Sequence, residues 1–321
     1  MPFKKSQIMI NKRRKRYNDM ETTINFKGIF PALLTPFDAQ DKINEKALEK
    51  LVQINLDKGV TGFYVGGSTA EAFLLSPEER KYVYSLVKEM AQDKCTLIAH
   101  IGDVSTKQSI EYGDYVKELG YHAISAVAPF YYKFSFEEIK AHYFEIVDHV
   151  NLPMLIYNFP SFSGVTLSVE QLSQFLDDPR FMGIKHTSND YFALEQFKNK
   201  YPNKVIYNGY DEMFLAGLSM GADGGIGSTY NFMAEKFIAI LEAFKKGDQQ
   251  EAFRIQQEAN KIIALACKIG VFQTEKAVLD LMGLDFGHVR KPFASITEEQ
   301  YEQVRKNIMP LLTYTDMHSL T

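Results

Sequence analysis

The sequence has only two cysteines, no tryptophan and no unbroken apolar run long enough to cross a membrane. Cys95 and Cys267 are 172 residues apart in apolar surroundings, so we expect two buried free thiols rather than a disulfide or half of a metal site. Free thiols are typical of a reducing cytosol, which is the expected compartment. The longest uncharged stretch, 150–169, contains two prolines and a glycine and predicts a strand with its loops.

A large excess of charge of one sign is also missing, since the 321 residues carry a formal net charge of −4. Neither nucleic-acid nor membrane binding is therefore predicted. The first 16 residues contain seven Lys and Arg and no acid. Such an arm can touch RNA or anionic lipid, but solvated extensions are the commoner behaviour of charge blocks. No apolar stretch follows it, so we expect no secretory signal and predict a disordered extension over 1–24.

Short apolar runs alternate with amphipathic helical patterns along the rest of the chain. The runs cover 28–34, 62–65, 96–101, 123–128, 154–157, 182–185, 205–207 and 225–228. Continuous apolar runs are typical of parallel strands covered by helices. Their ends lie 20 to 35 residues apart, close to the roughly 31 residues per unit of a (β/α)₈ TIM barrel. A doubly wound open sheet is the alternative, but no G-x-G-x-x-G follows the first strand.

We therefore predict an α/β fold in which a (β/α)₈ barrel occupies residues 25–246. A helix near 234–246 closes the barrel, and residues 247–321 form a C-terminal helical segment. Catalytic groups of such barrels lie where strands end and the following loops begin. The polar residues at those ends are the candidates for function.

Lys185 ends the sixth strand, where a charged side chain is unusual because the strand is otherwise apolar. Lysines are almost never fully buried unless paired, and burial lowers their pKa, which produces a neutral amine able to attack a ketone. An exposed lysine at a strand terminus is the simpler interpretation of this residue alone. Tyr157 ends the neighbouring strand, where a phenol can transfer a proton beside the amine or merely fill the barrel mouth.

Other strand ends carry small polar and acidic residues. Ser68 and Thr69 lie on a glycine-rich turn that can bind a carboxylate or simply cap a helix. Asp211 and Glu212 follow strand seven and can accept hydrogen bonds from sugar hydroxyls or complement a helix dipole. The glycines of 224–227 allow close packing at the mouth.

Taken together, these segments are recognisable. Gly66-Gly-Ser-Thr-Ala-Glu71, Tyr157-Asn-Phe-Pro160, Gly183-Ile-Lys-His-Thr187 and Tyr207-Asn-Gly-Tyr-Asp-Glu212 resemble the N-acetylneuraminate lyase family. This family belongs to the dihydrodipicolinate synthase superfamily of pyruvate-dependent aldolases. The resemblance extends over about 26–310 and includes Ala128-Pro-Phe-Tyr-Tyr132 and Arg290-Lys-Pro-Phe293.

The resemblance implies a cleavage of sialic acid to N-acetylmannosamine and pyruvate, with no metal or cofactor. Lys185 would form a Schiff base with the keto acid, and Tyr157 would relay the proton from the C4 hydroxyl. The remaining roles follow the same motifs: carboxylate binding by Ser68 and Thr69, sugar binding by Thr187, Gly209, Asp211, Glu212 and Ser228, and a contribution of Tyr131 to the site of a neighbouring subunit in a homotetramer.

Two positions bear on the choice within the superfamily. In dihydrodipicolinate synthases the corresponding segment resembles Tyr-Asn-x-Pro-x-Arg, and its arginine binds the carboxylate of an amino-acid substrate. This chain has Phe162 in place of that arginine. The lyase is therefore favoured, with dihydrodipicolinate synthase or another sugar-acid aldolase as alternatives. Ala70 stands where the family usually has glycine. If that position requires a positive φ, alanine costs about 1 kcal/mol and shifts the carboxylate loop, which keeps a non-catalytic sugar-acid binder open.

The seven histidines show no H-E-x-x-H or H-x-x-x-H spacing. A metal site, and with it a metal-dependent barrel aldolase, is the disfavoured hypothesis. His186 follows Lys185 and should point to the opposite side of the strand, where it would pack against a helix.

Overall fold

The computed structural model describes residues 24–312. The predicted basic extension lies outside the described residues, except for Ile24. Within the described part, no helix has the length and apolarity to cross a membrane.

Eight parallel strands form a single sheet in the order β1-β8-β7-β6-β5-β4-β3-β2. They are β1 Ile29–Pro31, β2 Gly62–Val65, β3 Thr96–His100, β4 Ala123–Val127, β5 Met154–Asn158, β6 Phe181–His186, β7 Val205–Asn208 and β8 Gly224–Gly227. The sheet closes on itself because β1 pairs with β8 and a parallel bridge joins Ala32 to Tyr64 of β2. The predicted TIM barrel is confirmed.

Helices follow the strands and surround the barrel. They span Glu45–Asp57, Pro77–Ala91, Thr106–Glu118, Phe136–Val150, Pro160–Ser163, Val169–Leu176, Tyr191–Lys200, Phe214–Ser219 and Tyr230–Lys245. Beyond the barrel lie the helices Gln249–Ile269, Val271–Leu281 and Glu298–Asn307. The C-terminal helical extension is thus confirmed, while the exact domain boundary after residue 246 stays a prediction. The sequence specifies where helices begin through capping residues. At Ser76, for example, the side chains of Ser76 and Glu79 form a reciprocal capping box.

The barrel has two separate apolar cores. Inward-facing side chains such as Phe30, Ile98 and Ile226 fill its interior, and a larger core lies between the strands and the helices. Because side chains alternate between these layers along each strand, every strand is buried on both faces. This double burial explains the continuous apolar runs in the sequence.

Two sequence expectations need correction. Cys95 is buried, but Cys267 is exposed, because Ile262, Ile263 and Ala266 form the buried side of its helix. The first strand is also shorter than predicted and ends at Pro31. Leu33 and Leu34 remain buried in the outer core, and an apolar pattern does not distinguish a buried loop from a strand.

Candidate active site

Lys185 and Tyr157 are brought together by strand register. The two residues pair directly between β5 and β6, and paired residues of neighbouring strands project to the same face. Lys185 is only 4% exposed. Its Nζ lies 4.0 Å from the ring centroid of Tyr157 and 4.4 Å from that of Tyr64. The sequence prediction that these two groups adjoin at the carboxyl ends of the strands agrees with this geometry.

The surroundings of the lysine favour its neutral form. Burial lowers the pKa of Lys185 to about 7, although the carboxylate of Asp211 acts in the opposite direction. No described residue completes a hydrogen bond or ion pair with Nζ, so the charge of the ammonium is stabilised only by the faces of the two tyrosine rings and, without direct contact, by the carboxylate of Asp211. About half of the amine is therefore unprotonated, and nucleophilic, near neutral pH.

Tyr157 is held as a neutral phenol. Burial raises its pKa well above the ordinary value of 10, and the hydroxyls of Ser68 and Thr187 pull it back only in part. The Oγ1 atom of Thr187 is buried near this phenol but completes no hydrogen bond of good geometry with a described residue. Three hydroxyl-bearing side chains thus converge beside the lysine, and a ligand entering the mouth would meet unused hydrogen-bonding capacity.

The turn that carries Ser68 and Thr69 is shaped by its backbone. Gly66 has a φ of +77°, and a Cβ there would lie 2.7 Å from the ring of Tyr84. Ser68–Ala70 then form a 3₁₀ turn. The residue in the left-handed region is Glu71, with φ 55°, and not Ala70. The positive φ that would strain Ala70 is therefore absent, and alanine suits the helical turn that it occupies.

His100 supports this turn and was not among the predicted site residues. Its Nε2 accepts a hydrogen bond from the amide of Val127, so Nδ1 carries the hydrogen and donates to the carbonyl of Gly66. Burial holds the pKa of His100 well below its ordinary value, and the nearby Arg80 acts in the same direction. The neutral imidazole thereby fixes the end of β4 to the start of the turn.

Arg80 completes this support from the far side. Its guanidinium is buried and donates to the carbonyls of His100 and Gly102, and its Cζ lies 4.4 Å from the ring centroid of Tyr112. The position of His100 at a strand end was a usable signal in the sequence. No pattern in the sequence marked Arg80 as part of this site, because the residue lies on a helix and only the folded chain brings it close to His100.

Glu71 ties the same turn to the C-terminal helices. One carboxylate oxygen lies 2.6 Å from Nζ of Lys276, with both side chains fully buried, and the other accepts a hydrogen bond from the amide of Arg290 at 2.6 Å. The guanidinium of Arg290 in turn forms a bidentate salt bridge with the carboxylate of Glu79. The motifs around Glu71 and Arg290 are thus parts of one structural clamp beside the candidate carboxylate site.

Removing one partner of this buried pair should be costly. We expect Lys276→Met to lower the free energy of unfolding by about 3–5 kcal/mol, because it leaves the Glu71 carboxylate buried and uncompensated. Chemical denaturation of the purified protein measures this loss. The double variant Glu71→Leu/Lys276→Met should regain much of it, and a single variant as stable as the wild type would contradict the prediction.

The predicted sugar-binding residues line the opposite side of the mouth. Gly209 lies so close to Thr187 that a Cβ would approach its Oγ1 to 1.9 Å, so only glycine fits there. Asp211 is buried, and its Oδ2 accepts hydrogen bonds from the amide and hydroxyl of Thr229. Burial raises the pKa of Asp211 to about 6 despite those bonds. Its carboxylate is still the main form at neutral pH.

Ser228 and Glu212 adjoin this group differently. Ser228 is half-buried at the end of β8 and lies between two residues that contact Asp211. Glu212 is half-buried, its backbone carbonyl accepts a hydrogen bond from Asn260, and the residue borders a groove against the helix Gln249–Ile269. The charge of Asp211 thus acts directly on Lys185 and Tyr157, whereas that of Glu212 acts on Asp211 and Tyr191.

Tyr131 stands apart from the buried site. It has a positive φ of 76°, which is rare for an aromatic residue, and its side chain is 85% exposed. The ring packs edge-on against the exposed Tyr132 at 5.0 Å. Within one chain, it makes no contribution to the group around Lys185.

His186 and Phe162 take the places that their sequence context indicated. His186 packs against Phe197 of the adjacent helix, with hydrogen bonds to Asn158 and to the carbonyl of Asp190. Phe162 stacks on Phe159, with ring centroids 4.2 Å apart. An apolar surface therefore occupies the place of the arginine that an amino-acid carboxylate would need.

Fold and site together define a parallel eight-stranded barrel with a buried lysine and a buried tyrosine on neighbouring strand ends. The chain belongs to the dihydrodipicolinate synthetase family, whose sequence model matches residues 25–310. An N-acetylneuraminate lyase of Salmonella newport is 47% identical over 275 residues, which are 85% of this chain and 93% of that protein. One from Escherichia coli is 46% identical over 283 residues, covering 88% and 95%.

Solved structures agree with this assignment. The Clostridium difficile protein CdNal, determined in complex with mannosamine, matches with a TM-score of 0.88 and 37% identity, over 90% of this chain and all of that one. N-acetylneuraminate lyase from Fusobacterium nucleatum matches with a TM-score of 0.85 and 39% identity, over 89% and 99%.

Proposed function

We propose that the protein is an N-acetylneuraminate lyase, which reversibly cleaves N-acetylneuraminate to N-acetylmannosamine and pyruvate through a lysine Schiff base. The observation that carries this proposal is the buried amine of Lys185, which faces two tyrosine rings and has a pKa near neutrality. The relatives at 46% and 47% identity, and a solved structure at 39% identity with the same fold, are named for the same activity.

The reaction begins with attack of Lys185 Nζ on C2 of the open-chain sugar acid, followed by loss of water. The protonated imine then accepts the electron pair of the C3–C4 bond as that bond breaks, and the aldehyde N-acetylmannosamine leaves. The resulting enamine takes up a proton at C3, and hydrolysis of the imine releases pyruvate and the free amine. No oxidant or reductant enters this sequence.

Tyr157 is the proton carrier for the cleavage step. Because its pKa is raised by burial, the phenol is protonated at rest and does not act as a permanent base. It can instead accept the C4 hydroxyl proton while passing its own to the substrate carboxylate, which needs no phenolate. Ser68 and Thr69 would bind that carboxylate, and their turn is held in place by His100 and Glu71.

Thr187, Gly209, Asp211, Glu212 and Ser228 are the proposed sugar-binding residues. With the carboxylate at the β2 turn and C2 at β6, the polyhydroxylated remainder extends towards the ends of β7 and β8. The Thr187 hydroxyl and the carboxylates of Asp211 and Glu212 there suit a ligand rich in hydroxyls. Phe162 disfavours an amino-acid carboxylate, and the helical backbone at Ala70 removes the reason to expect a damaged carboxylate loop.

The proposal is tested by following pyruvate release from N-acetylneuraminate in a coupled assay, with and without EDTA. Borohydride added with pyruvate should attach a lactyl-sized group to Lys185, located by peptide mass spectrometry. An unmodified Lys185 during normal cleavage would refute the Schiff-base mechanism. Complete loss of activity in EDTA, restored by a divalent ion, would instead favour a metal-dependent aldolase.

Adduct formation should depend on pH through the lysine. Since the pKa of Lys185 lies near 7 instead of about 10.5, the neutral fraction rises between pH 6 and 8. The initial rate of borohydride trapping at saturating pyruvate should therefore increase several-fold over that interval and be half-maximal near pH 7. A rate that continues to rise tenfold per unit up to pH 10 would show an unperturbed lysine.

We further propose a cytosolic homotetramer. The exposed aromatic pair Tyr131 and Tyr132, with its strained backbone at Tyr131, is suited to insertion at a neighbouring barrel mouth. The free thiol of Cys95 and the exposed free thiol of Cys267 are consistent with a reducing compartment. Sedimentation velocity measures the assembly directly.

A further inference from the structure

Glu275 is a poorly compensated carboxyl group near the candidate site. It lies on the helix Val271–Leu281 and is 0% exposed. Both of its oxygens are buried, and neither completes a hydrogen bond of good geometry with a described residue, although the Ser228 hydroxyl lies close enough to interact with the carboxyl group. Leaving an ionised carboxyl in this state is strongly unfavourable, so the neutral acid is the favoured form.

The groups that face Glu275 come from three other elements. The hydroxyl of Ser228 adjoins it from the end of β8, and the carboxylate of Asp211 acts on it from the end of β7. Cys267, on the helix Gln249–Ile269, is near enough for the charge of Glu275 to raise the pKa of its thiol. Burial raises the pKa of Glu275 to about 8, Ser228 lowers it, and Asp211 raises it further. At neutral pH the acid is therefore the main form, next to a carboxylate that is ionised.

We propose that Glu275 is a positioning residue for sugar binding: as a neutral acid it donates a hydrogen bond to Ser228 Oγ and leaves the serine O–H free to donate into the barrel mouth. This inference rests on the proposed lyase function. With Asp211 as an acceptor beside Ser228, the end of the site then presents one donor and one acceptor. That pair fits two neighbouring hydroxyls of a polyhydroxylated chain, each of which can donate and accept.

The ionised form would reverse this arrangement. A Glu275 carboxylate can only accept, so the Ser228 hydroxyl would turn away from the mouth and donate to it. The site would then offer the sugar only acceptors, and a second negative charge would lie near Asp211. Loss of one neutral hydrogen bond weakens binding by up to about tenfold.

The experiment compares the wild type with Glu275→Gln, Glu275→Leu and Thr274→Val between pH 6 and 9. KM and kcat for pyruvate release from N-acetylneuraminate are determined at each pH. Glutamine keeps an N–H donor in the place of the acid O–H, whereas leucine keeps only the volume. Thr274 is the matched control, because it is equally buried on the same helix and its hydroxyl has no described hydrogen bond.

At pH 7 we expect Glu275→Gln to have a KM within twofold of the wild type. Glu275→Leu should raise KM about tenfold with kcat nearly unchanged, because binding of the ground state and of the transition state is weakened equally. Above pH 8 the wild-type KM should approach that of the leucine variant, while the glutamine variant stays flat. Thr274→Val should follow the wild type throughout.

A glutamine variant as impaired as the leucine variant at pH 7 would overturn the proposal, as would parallel KM profiles for the wild type and Glu275→Gln. Borohydride trapping of pyruvate by the same four proteins separates the two proposals. Normal adducts with parallel KM profiles reject only the role of Glu275. No adduct and no pyruvate release in the wild type would reject both.

Discussion

Replacing Lys185 by methionine should lower kcat for pyruvate release at least about a thousand-fold, which corresponds to roughly 4 kcal/mol in the activation barrier. The amine is the only protein group in the proposed reaction that forms a bond to C2, so the covalent route is lost entirely. Methionine is similar in length and volume, which leaves the inner core of the barrel filled. Turnover of N-acetylneuraminate by purified protein, together with peptide mass spectrometry after borohydride trapping, measures both consequences.

The stability of this variant provides the control. Lys185 has no ion-pair partner in residues 24–312, and burying an unpaired ammonium opposes folding. We therefore expect the midpoint of thermal unfolding to stay the same or to rise, in contrast to Lys276→Met, where an ion pair is broken. An inactive Lys185→Met protein that is also destabilised would point to damaged folding, and an active one would remove the Schiff base from the mechanism.

Replacing Tyr157 by phenylalanine should lower kcat about a hundred- to a thousand-fold, which is the usual contribution of a positioned proton carrier. Phenylalanine retains the ring under the amine and the packing against Phe159 and removes only the hydroxyl. Because proton transfer from the C4 hydroxyl is needed for cleavage, whereas pyruvate has no such hydroxyl, borohydride trapping of pyruvate should still reach completion. Single-turnover cleavage and adduct yield are the two measurements.

Tyr207→Phe is the matched control for this prediction. Tyr207 is also a buried tyrosine of the inner core and pairs with Lys185 in strand register, but its hydroxyl donates to the backbone carbonyl of Phe26. We expect its kcat to remain within a fewfold of the wild type. If both tyrosine variants lost activity equally, the effect would come from the packing of the barrel interior and not from proton transfer by Tyr157.

The barrel and its principal candidates were accessible from the sequence because they depend on local patterns. Double burial gives each strand a continuous apolar run, and the spacing of the runs indicates the architecture. Lys185 and Tyr157 could be predicted to adjoin because equivalent ends of neighbouring parallel strands meet at one edge. Their pairing between β5 and β6 agrees with that expectation, although their roles stay proposals.

Other features depend on contacts between distant parts of the chain and left no local trace. Glu71 meets Lys276 across 205 residues, and Arg80 reaches the carbonyl of His100 from a helix. The φ angle at Ala70 could not be predicted either. Residue types show which positions tolerate a positive φ, but not which residue of a turn adopts it. The left-handed conformation lies one residue later, at Glu71.

The clamp around Glu71 has a consequence for protein engineering. A shortened version that ends at Gly247 would retain all eight strands and the lysine, and so would look like a minimal catalytic scaffold. It would nevertheless lack Lys276 and the amide of Arg290, and the carboxylate that they hold lies three residues from Ser68. The C-terminal helices therefore have to be transplanted together with the barrel, or Glu71 redesigned as an apolar residue, in any chimera built from this chain.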